Sequence, residues 1–278
     1  MSMVRIAVTG ATGQLGGQVA RILAAEGHHV VAVSRNRADS LPGVEPAVAD
    51  YADPAALRAA LSGVDALVFV SSDGDAAKMM LHHRNVVHAA ADSGIAHVVA
   101  LSGLDADLAS PFCYGVTNGY TEQLLRDTGC PYSVVRASIF TEFFLHWLTA
   151  ARSSGEIRLP AAAARLSLVA RTDVGRCLAA LAVAGPTGRH HDVTGPAALD
   201  LNVIAAEAAA HWRTPIRYVE VSPAEHCVEM ARAGEHPWWM YAYSSMFTSV
   251  RQHRWAATSD EVAALTGRPA TALRDLLT

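Results

Sequence analysis

The stretch VTGATGQLGG, residues 8–17, places glycines at 10, 13, 16 and 17 directly behind the aliphatic run VRIAV. Few folds need glycine at that rhythm between a strand-like run and a helix-like one. Gly10 lets the chain turn without a Cβ clash, and Gly13 lets backbone approach a bound group. Gly16, with Gly17 beside it, lets the helix that begins at Gln14 lie close on the strand.

The same pattern recurs along the N-terminal half. Gly27, Gly63, Gly94 and Gly129 each precede a short apolar or β-branched run: HHVVAVS, VDALVFV, IAHVVAL and CPYSVVR. Each glycine stands where a helix closes with a left-handed residue. Between them lie helical periods. Leu15, Val19, Ile22 and Leu23 share one face, and Asp53 caps a helix with Pro54 at its first position. In the segment from Ala76 to Ser93, Met80, Val87 and Ala91 line up as the expected buried stripe. Strands alternating with helices of this length predict an α/β fold, a Rossmann-like doubly wound parallel sheet.

After Arg136 the rhythm loosens. FFLHWLTAARSSG reads as a helix ending near Gly155, RTDVGRCLAALAVAG and LNVIAAEAAAHW as helices, HHDVTG and IRYVEVS as strands. SDEVAALTGRPATALRDLL reads as two short helical pieces, and HPWWMYAY as a loop. No linker or low-complexity tract intervenes. Residues 1–136 are therefore expected to form a nucleotide-binding lobe, and 137–278 a smaller lobe of the same fold.

Composition narrows the partners. The chain has 278 residues, a formal charge of −4 with signs mixed, and 51% hydrophobic residues. No basic stripe is present to displace counterions from a nucleic acid. No run of about 18 apolar residues predicts a membrane span. Cys113, Cys130, Cys177 and Cys227 are far apart, so disulfides and zinc are not expected and a reducing, cytoplasmic setting is. The pairs His28–His29, His82–His83 and His190–His191 lack ligand spacing, so no metal is expected. A small-molecule substrate is expected, and a homodimer is allowed.

A strand, glycines and an amphipathic helix at the head of such a chain predict a dinucleotide site, with the diphosphate at the helix N-terminus. A reader of the adenosine ribose belongs at the end of the second strand, about 20 residues on. That strand ends in SRNR, which offers Ser34, Arg35 and Arg37 but no carboxylate. A guanidinium suits a 2′-phosphate, so NADP(H) is favoured over NAD(H). Asp50 follows the third strand, where it can accept from an adenine amine. Ser71 and Ser72 follow the fourth.

The blocks TGATGQLGG, VSRN, HHRNVVHAAADSGIAHVVALSG, TEQLLRDTGCPYSVVRASIFTEFF and SDEVAALTGRP together resemble the atypical, NmrA-like branch of the short-chain dehydrogenase/reductase superfamily. That branch includes type 2 NADPH:quinone oxidoreductases and triphenylmethane-dye reductases. The resemblance implies an NADP-binding lobe and a smaller C-terminal lid lobe over a substrate cleft. It implies that Gly10 forms the cofactor-binding turn, that Thr12, Gly13, Gln14 and Leu15 meet the diphosphate, Arg35 the 2′-phosphate, and Ser71 and Ser72 the far ribose. Ser102 and Asn118 would border the nicotinamide, with the backbone of Ala137 to Ile139.

Two departures from the family pattern stand out. Tyr114 is in register with the superfamily's catalytic tyrosine, but Asn118 takes the place of its lysine, and so supplies no positive charge. Ala137 and Phe143 replace the family's proline and asparagine. A ketone acceptor needs an acid to quench its alkoxide, whereas a quinone or cationic dye does not. Tyr114, Asn118 and Ser102 are the catalytic candidates. Phe140, Phe144, Trp147, Trp238, Trp239 and Met240 are candidates for a flat pocket, though aromatics at helical spacing also pack as core. Ser102 lies in ALSGL, not in a nucleophile elbow, so a hydrolase triad is not expected. Asp173 and Glu142 read as cap or surface acids. The favoured function is hydride transfer from NADPH to a quinone or related conjugated molecule. A non-catalytic NADP(H)-sensing regulator and a carbonyl reductase or tailoring enzyme are the alternatives.

Overall fold

The computed structural model describes residues 3–36, 43–72 and 74–278, so Arg37 lies outside the described residues. The first half runs β1 (Arg5–Thr9), α1 (Gln14–Ala25), β2 (His29–Ser34), β3 (Glu45–Val48), α2 (Pro54–Ala60), β4 (Ala66–Phe69) and α3 (Ala76–Asp92). It continues through β5 (His97–Gly103), α4 (Cys113–Thr128) and β6 (Tyr132–Ala137). Then come α5 (Thr141–Ser154), β7 (Glu156–Leu159), β8 (Arg165–Leu166), α6 (Arg171–Ala184) and β9 (His190–Val193). The chain closes with β10 (Leu199–Asp200), α7 (Leu201–Trp212), β11 (Arg217–Glu220), α8 (Pro223–Arg232), α9 (Pro237–Arg251) and α10 (Glu261–Thr266).

Seven strands form the main sheet in the order β3-β2-β1-β4-β5-β6-β9. Pairing is parallel from β3 through β5, with Ile6 opposite Val30 on one side and Ala66 on the other. The chain builds outward from β1 in one direction, returns, and builds the other way from β4. That reversal lies between β1 and β4. In open α/β sheets it is where ligands settle, beyond the carboxyl ends of the strands.

The helices follow the sequence pattern closely. Asp53 accepts from the amides of Ala55 and Ala56, with Pro54 behind it, and Gly27, Gly63, Gly94 and Gly129 all have positive φ. In α3 the stripe is displaced by one position: Met79, His83, Val86, Val87 and Ala90 are buried, whereas Met80 and Ala91 are only partly so. The stripe includes a histidine, which a count of apolar letters passes over.

Two compact units make up the chain. Unit 1 comprises Met1–Ser102, Thr117–Arg136 and Thr172–His191; unit 2 comprises Gly103–Val116, Ala137–Arg171 and Asp192–Thr278. The core of unit 1 is aliphatic, built on Val31, Leu57, Leu67, Val87, Val98 and Leu125. Unit 2 packs Phe144, Leu148, Ile157, Ile204, Phe247 and Trp255, and holds all five tryptophans of the chain. Two small sheets belong to it, β10 with β8 and β11 with β7.

HPWWMYAY is not a loop. It opens α9, with Pro237 at the first helical position and His236 accepting from the Trp238 amide. α8 is a further helix that the periodicity passed over, fixed by a capping box between Ser222 and Glu225.

Candidate functional site: a nucleotide cradle and an aromatic cluster

In unit 1, Gly10–Leu15, Arg35, Asp50, Ser71–Ser72 and Ser102 all lie at or just past the carboxyl ends of parallel strands β1 to β5. The parallel register brings them to one edge of the sheet. Gly10 has φ +63° and its carbonyl accepts from Gly13 at 2.9 Å. A Cβ on Gly16 would run into the carbonyls of Gly10 and Thr9, so only glycine lets α1 start this close to β1. A Cβ on Gly13 would meet one atom, the Gly10 carbonyl oxygen, at 3.2 Å.

The start of α1 is suited to an anion. Gly13 is its N-cap, no side chain caps it, and its first turn carries no acid. Its leading amides have no partner within the helix and lie at the positive end of the helix dipole. Thr12, Gly13 and Gln14 are exposed, while the Leu15 side chain is buried and anchors the turn. Arg35 is exposed and makes no hydrogen bond or ion pair with any described residue. The Ser72 hydroxyl is buried without a partner among the described residues. Uncapped amides, and a guanidinium and a hydroxyl with no partner among the described residues, all on one edge, fit a phosphorylated dinucleotide.

Neighbouring groups hold this edge in shape. Thr9 Oγ1 accepts from the Val70 amide at 3.0 Å, and Tyr51 OH donates to the Val70 carbonyl at 2.7 Å. Ser71 Oγ donates to the Leu101 carbonyl at 3.0 Å. Asp50 accepts from the Ala52 amide at 2.8 Å, which forms a turn and leaves its carboxylate exposed. Nothing in the sequence around Tyr51 marks this role. Burial pushes its phenol well above the ordinary range, so it stays a donor. His82 lies against Tyr51, with ring centroids 6.1 Å apart. Burial lowers its pKa, the charges of Lys78 and Arg35 lower it further, and Asp50 opposes them.

Ser102 is tied to a pair that the sequence did not reveal. Its Oγ donates to Glu122 Oε1 at 2.7 Å, and Glu122 is gripped by Arg136 at 2.9 and 2.6 Å. The Ser102 proton is thus committed, and the serine presents an acceptor rather than an acid. Asn118 lies on α4, partly buried, four residues after Tyr114.

In unit 2, Tyr114 belongs to an aromatic cluster. Its ring lies 5.4 Å from Phe112 and 6.4 Å from Trp238, and Trp238 lies 5.4 Å from Tyr241. Trp239 stacks on Tyr243 at 5.9 Å, and Tyr243 meets Phe143 and Trp147. Trp147, Trp238, Trp239 and Met240 are all partly exposed. Phe144 is different: it is 0% exposed and packs wholly into the core, so it lines no pocket. Phe140 caps α5 and stacks under the Arg171 guanidinium at 5.6 Å. Glu142 accepts from the Arg171 amide, a capping role. In unit 1, Asp173 is fully buried rather than on the surface, paired with Arg176 at 2.7 Å.

A family model described as NAD(P)H-binding matches residues 10–184. The chain belongs to this NAD(P)H-binding family and is an oxidoreductase. Escherichia coli quinone oxidoreductase 2 is 31% identical over 236 residues, which cover 82% of each chain. Its crystal structure with NADPH matches 98% of both chains at a TM-score of 0.91 and 29% identity. A Streptomyces griseus (4-alkanoyl-5-oxo-2,5-dihydrofuran-3-yl)methyl phosphate reductase is 33% identical over 281 aligned positions, 97% of this chain and 95% of its own. Citrobacter sp. triphenylmethane reductase, solved with NADP(H), matches 98% of both chains at a TM-score of 0.91 and 27% identity.

Proposed function

We propose that the protein uses NADPH to reduce a quinone or a related conjugated carbonyl compound. The observation that carries the cofactor half is the uncapped start of α1 with Arg35, which has no partner among the described residues, on the same sheet edge. There Gly13, Gln14 and Leu15 would bind the diphosphate through backbone amides and Arg35 the 2′-phosphate. Ser71, Ser72 and Asn118 would hold the nicotinamide ribose, Asp50 the adenine amine. When bound, the reduced nicotinamide supplies a hydride, and the cofactor carries that chemistry.

The acceptor half rests on unit 2 and on α4. Tyr114 has asparagine rather than lysine one helical turn on, so that position supplies no cation to prepare it as an acid. A quinone tolerates this, because its reduced form delocalises charge and takes its proton from solvent. Partly exposed Trp238, Trp239 and Trp147 offer flat apolar surface for such a ring. The relatives that span most of the chain are reductases, which favours an enzyme over a non-catalytic nucleotide sensor. Among the described residues no disulfide joins the cysteines, and no helix is long and apolar enough to cross a membrane.

The test is NADPH oxidation with a panel of quinones, cationic dyes and simple ketones, in the wild type and in Tyr114→Phe. We expect turnover of quinones, with the variant retaining kcat within about threefold. A general acid would instead contribute at least about a hundredfold. Loss on that scale would move the protein to carbonyl reduction. Binding of NADPH with no acceptor reduced would favour the sensor.

A further inference from the structure

The two adjacent histidines of α3 part company. His83 is buried against Phe69 of β4, with Nδ1 2.6 Å from Thr121 Oγ1 of α4. His82 is partly exposed, and its ring nitrogens bond no described residue. Its ring meets Tyr51 edge-on, with centroids 6.1 Å apart and planes at 80°. Tyr51 is itself fixed twice: its OH donates to the Val70 carbonyl at 2.7 Å, and its own carbonyl accepts from Asn85 Nδ2 at 2.9 Å. Those bonds tie α3 to the residues just past β3 and β4. His82 therefore stands at the same carboxyl edge of the sheet as Arg35 and Asp50.

The charges around His82 do not balance. Arg35 at the end of β2, Lys78 on α3 and Asp50 after β3 all lie within its electrostatic reach. Lys78 precedes it by four residues, on the same helix face. α2 also packs on α3, but its Arg58 meets Asp92 at the other end of that helix, 3.7 Å away. Among the described groups that act on His82, two cations thus stand against one carboxylate. Partial burial, then Lys78 and Arg35 against the pull of Asp50, keep the ring below its ordinary pKa. An anion seated among these groups would reverse the sign, because opposite charge favours the protonated ring.

We infer that His82 reads the cofactor's 2′-phosphate together with Arg35, that it does so as an imidazolium, and that the preference for NADP(H) over NAD(H) therefore grows as pH falls. This role rests on the phosphate lying at Arg35, as proposed above. Histidine is the side chain whose charge changes near neutral pH, so a phosphate beside it is met by a proton taken from solvent. No bond of the cofactor changes. Arg35 supplies a charge that is constant with pH, and His82 one that is conditional.

The experiment is calorimetric titration of NADP+ and NAD+ into the wild type and His82→Gln at about pH 6 and about pH 8, on either side of the ordinary histidine range. Glutamine keeps a polar side chain and cannot charge. The phosphate itself titrates near pH 6, so the two proteins are compared at the same pH. We expect the variant to bind NADP+ about tenfold more weakly at the lower pH and within about twofold at the higher, the scale of one charge-assisted bond. NAD+ affinity should be unchanged at both. Equal weakening of NADP+ at both pH values would overturn the inference, as would equal weakening of NAD+. Should His82→Gln misfold, the wild type decides alone. In two buffers of different ionisation enthalpy at about pH 7, NADP+ must take up more protons on binding than NAD+, and equal or smaller uptake overturns the inference. An Arg35→Asp variant that keeps the NADP+ preference overturns the placement of the phosphate, and the role of His82 with it. Where Arg35→Asp loses that preference and the His82→Gln effect is the same at both pH values, only the role of His82 fails.

Discussion

In unit 1 the buried carboxylate of Glu122 is held by groups close in sequence, whereas in unit 2 that of Asp105 is held across more than half the chain. Ser102 and Arg136 reach Glu122 across 20 and 14 residues. Asp105, by contrast, is held by Ser249 and Arg254 across 144 and 149 residues. Asp105 is buried, and Ser110 Oγ also donates to it at 2.6 Å. Trp255 Nε1 in turn donates to Ser249 Oγ at 2.8 Å, so one carboxylate gathers the start of unit 2 and its far end. The contrast separates two ways of making a platform. Unit 1 repeats a local rhythm and leaves the nucleotide edge as a by-product of parallel strands, whereas unit 2 depends on single long-range knots.

The most severe way to test that contrast is to cut the knot. Asp105→Ala leaves the Arg254 guanidinium without its buried partner and frees two serine hydroxyls. The expected loss is about 3–5 kcal/mol, the range for breaking a buried pair from one side. Urea unfolding followed by tryptophan fluorescence reports it, since every tryptophan lies in unit 2. A loss below about 1 kcal/mol would show the knot to be dispensable.

Unit 1 has a gentler weakness, toward acid. His83 packs on Phe69 with Nδ1 2.6 Å from Thr121 Oγ1, and His97 bonds Ser133 Oγ at 2.9 Å. Burial lowers each pKa from 6.5 to about 4. Between those values the unfolded chain holds more protons than the folded one, so folding is fully favoured above about pH 6.5 and weakens as pH falls toward 4. Up to about 3 kcal/mol for each ring is lost over that window. Stability measured against pH in a His83→Leu, His97→Leu variant should lose most of that slope. An unchanged slope would place the acid sensitivity elsewhere.

The same contrast explains what the sequence made legible. Strand, glycine and helix alternate within reach of a short reading window, so the sheet and its nucleotide edge could be read directly from VTGATGQLGG, SRNR and VFVSS. Asp53 could be read because a cap and its proline are adjacent. Glu122 and Tyr51 could not, because their partners lie on other strands and nothing in TEQLLRD or ADYAD marks a buried tie. In unit 2, HPWWMYAY does carry a helix signal: proline at the first position behind a side chain able to cap marks a helix start. The start of α8 is legible too, since Ser222, Pro223 and Glu225 spell a capping box. Phe144 is a different case. Its neighbours Phe143 and Trp147 are partly exposed, and only packing decides which face of α5 turns inward.

The central claim is that the open edge of unit 1 recognises a phosphorylated dinucleotide through α1 and Arg35. Calorimetry of NADPH and NADH on the wild type and on Arg35→Asp tests it most directly. The account predicts saturable NADPH binding that weakens by about ten- to a hundredfold in the variant, with NADH little changed, as expected for losing charge-assisted bonds to the 2′-phosphate. Equal weakening of both nucleotides, or no saturable NADPH binding by the wild type, would contradict it.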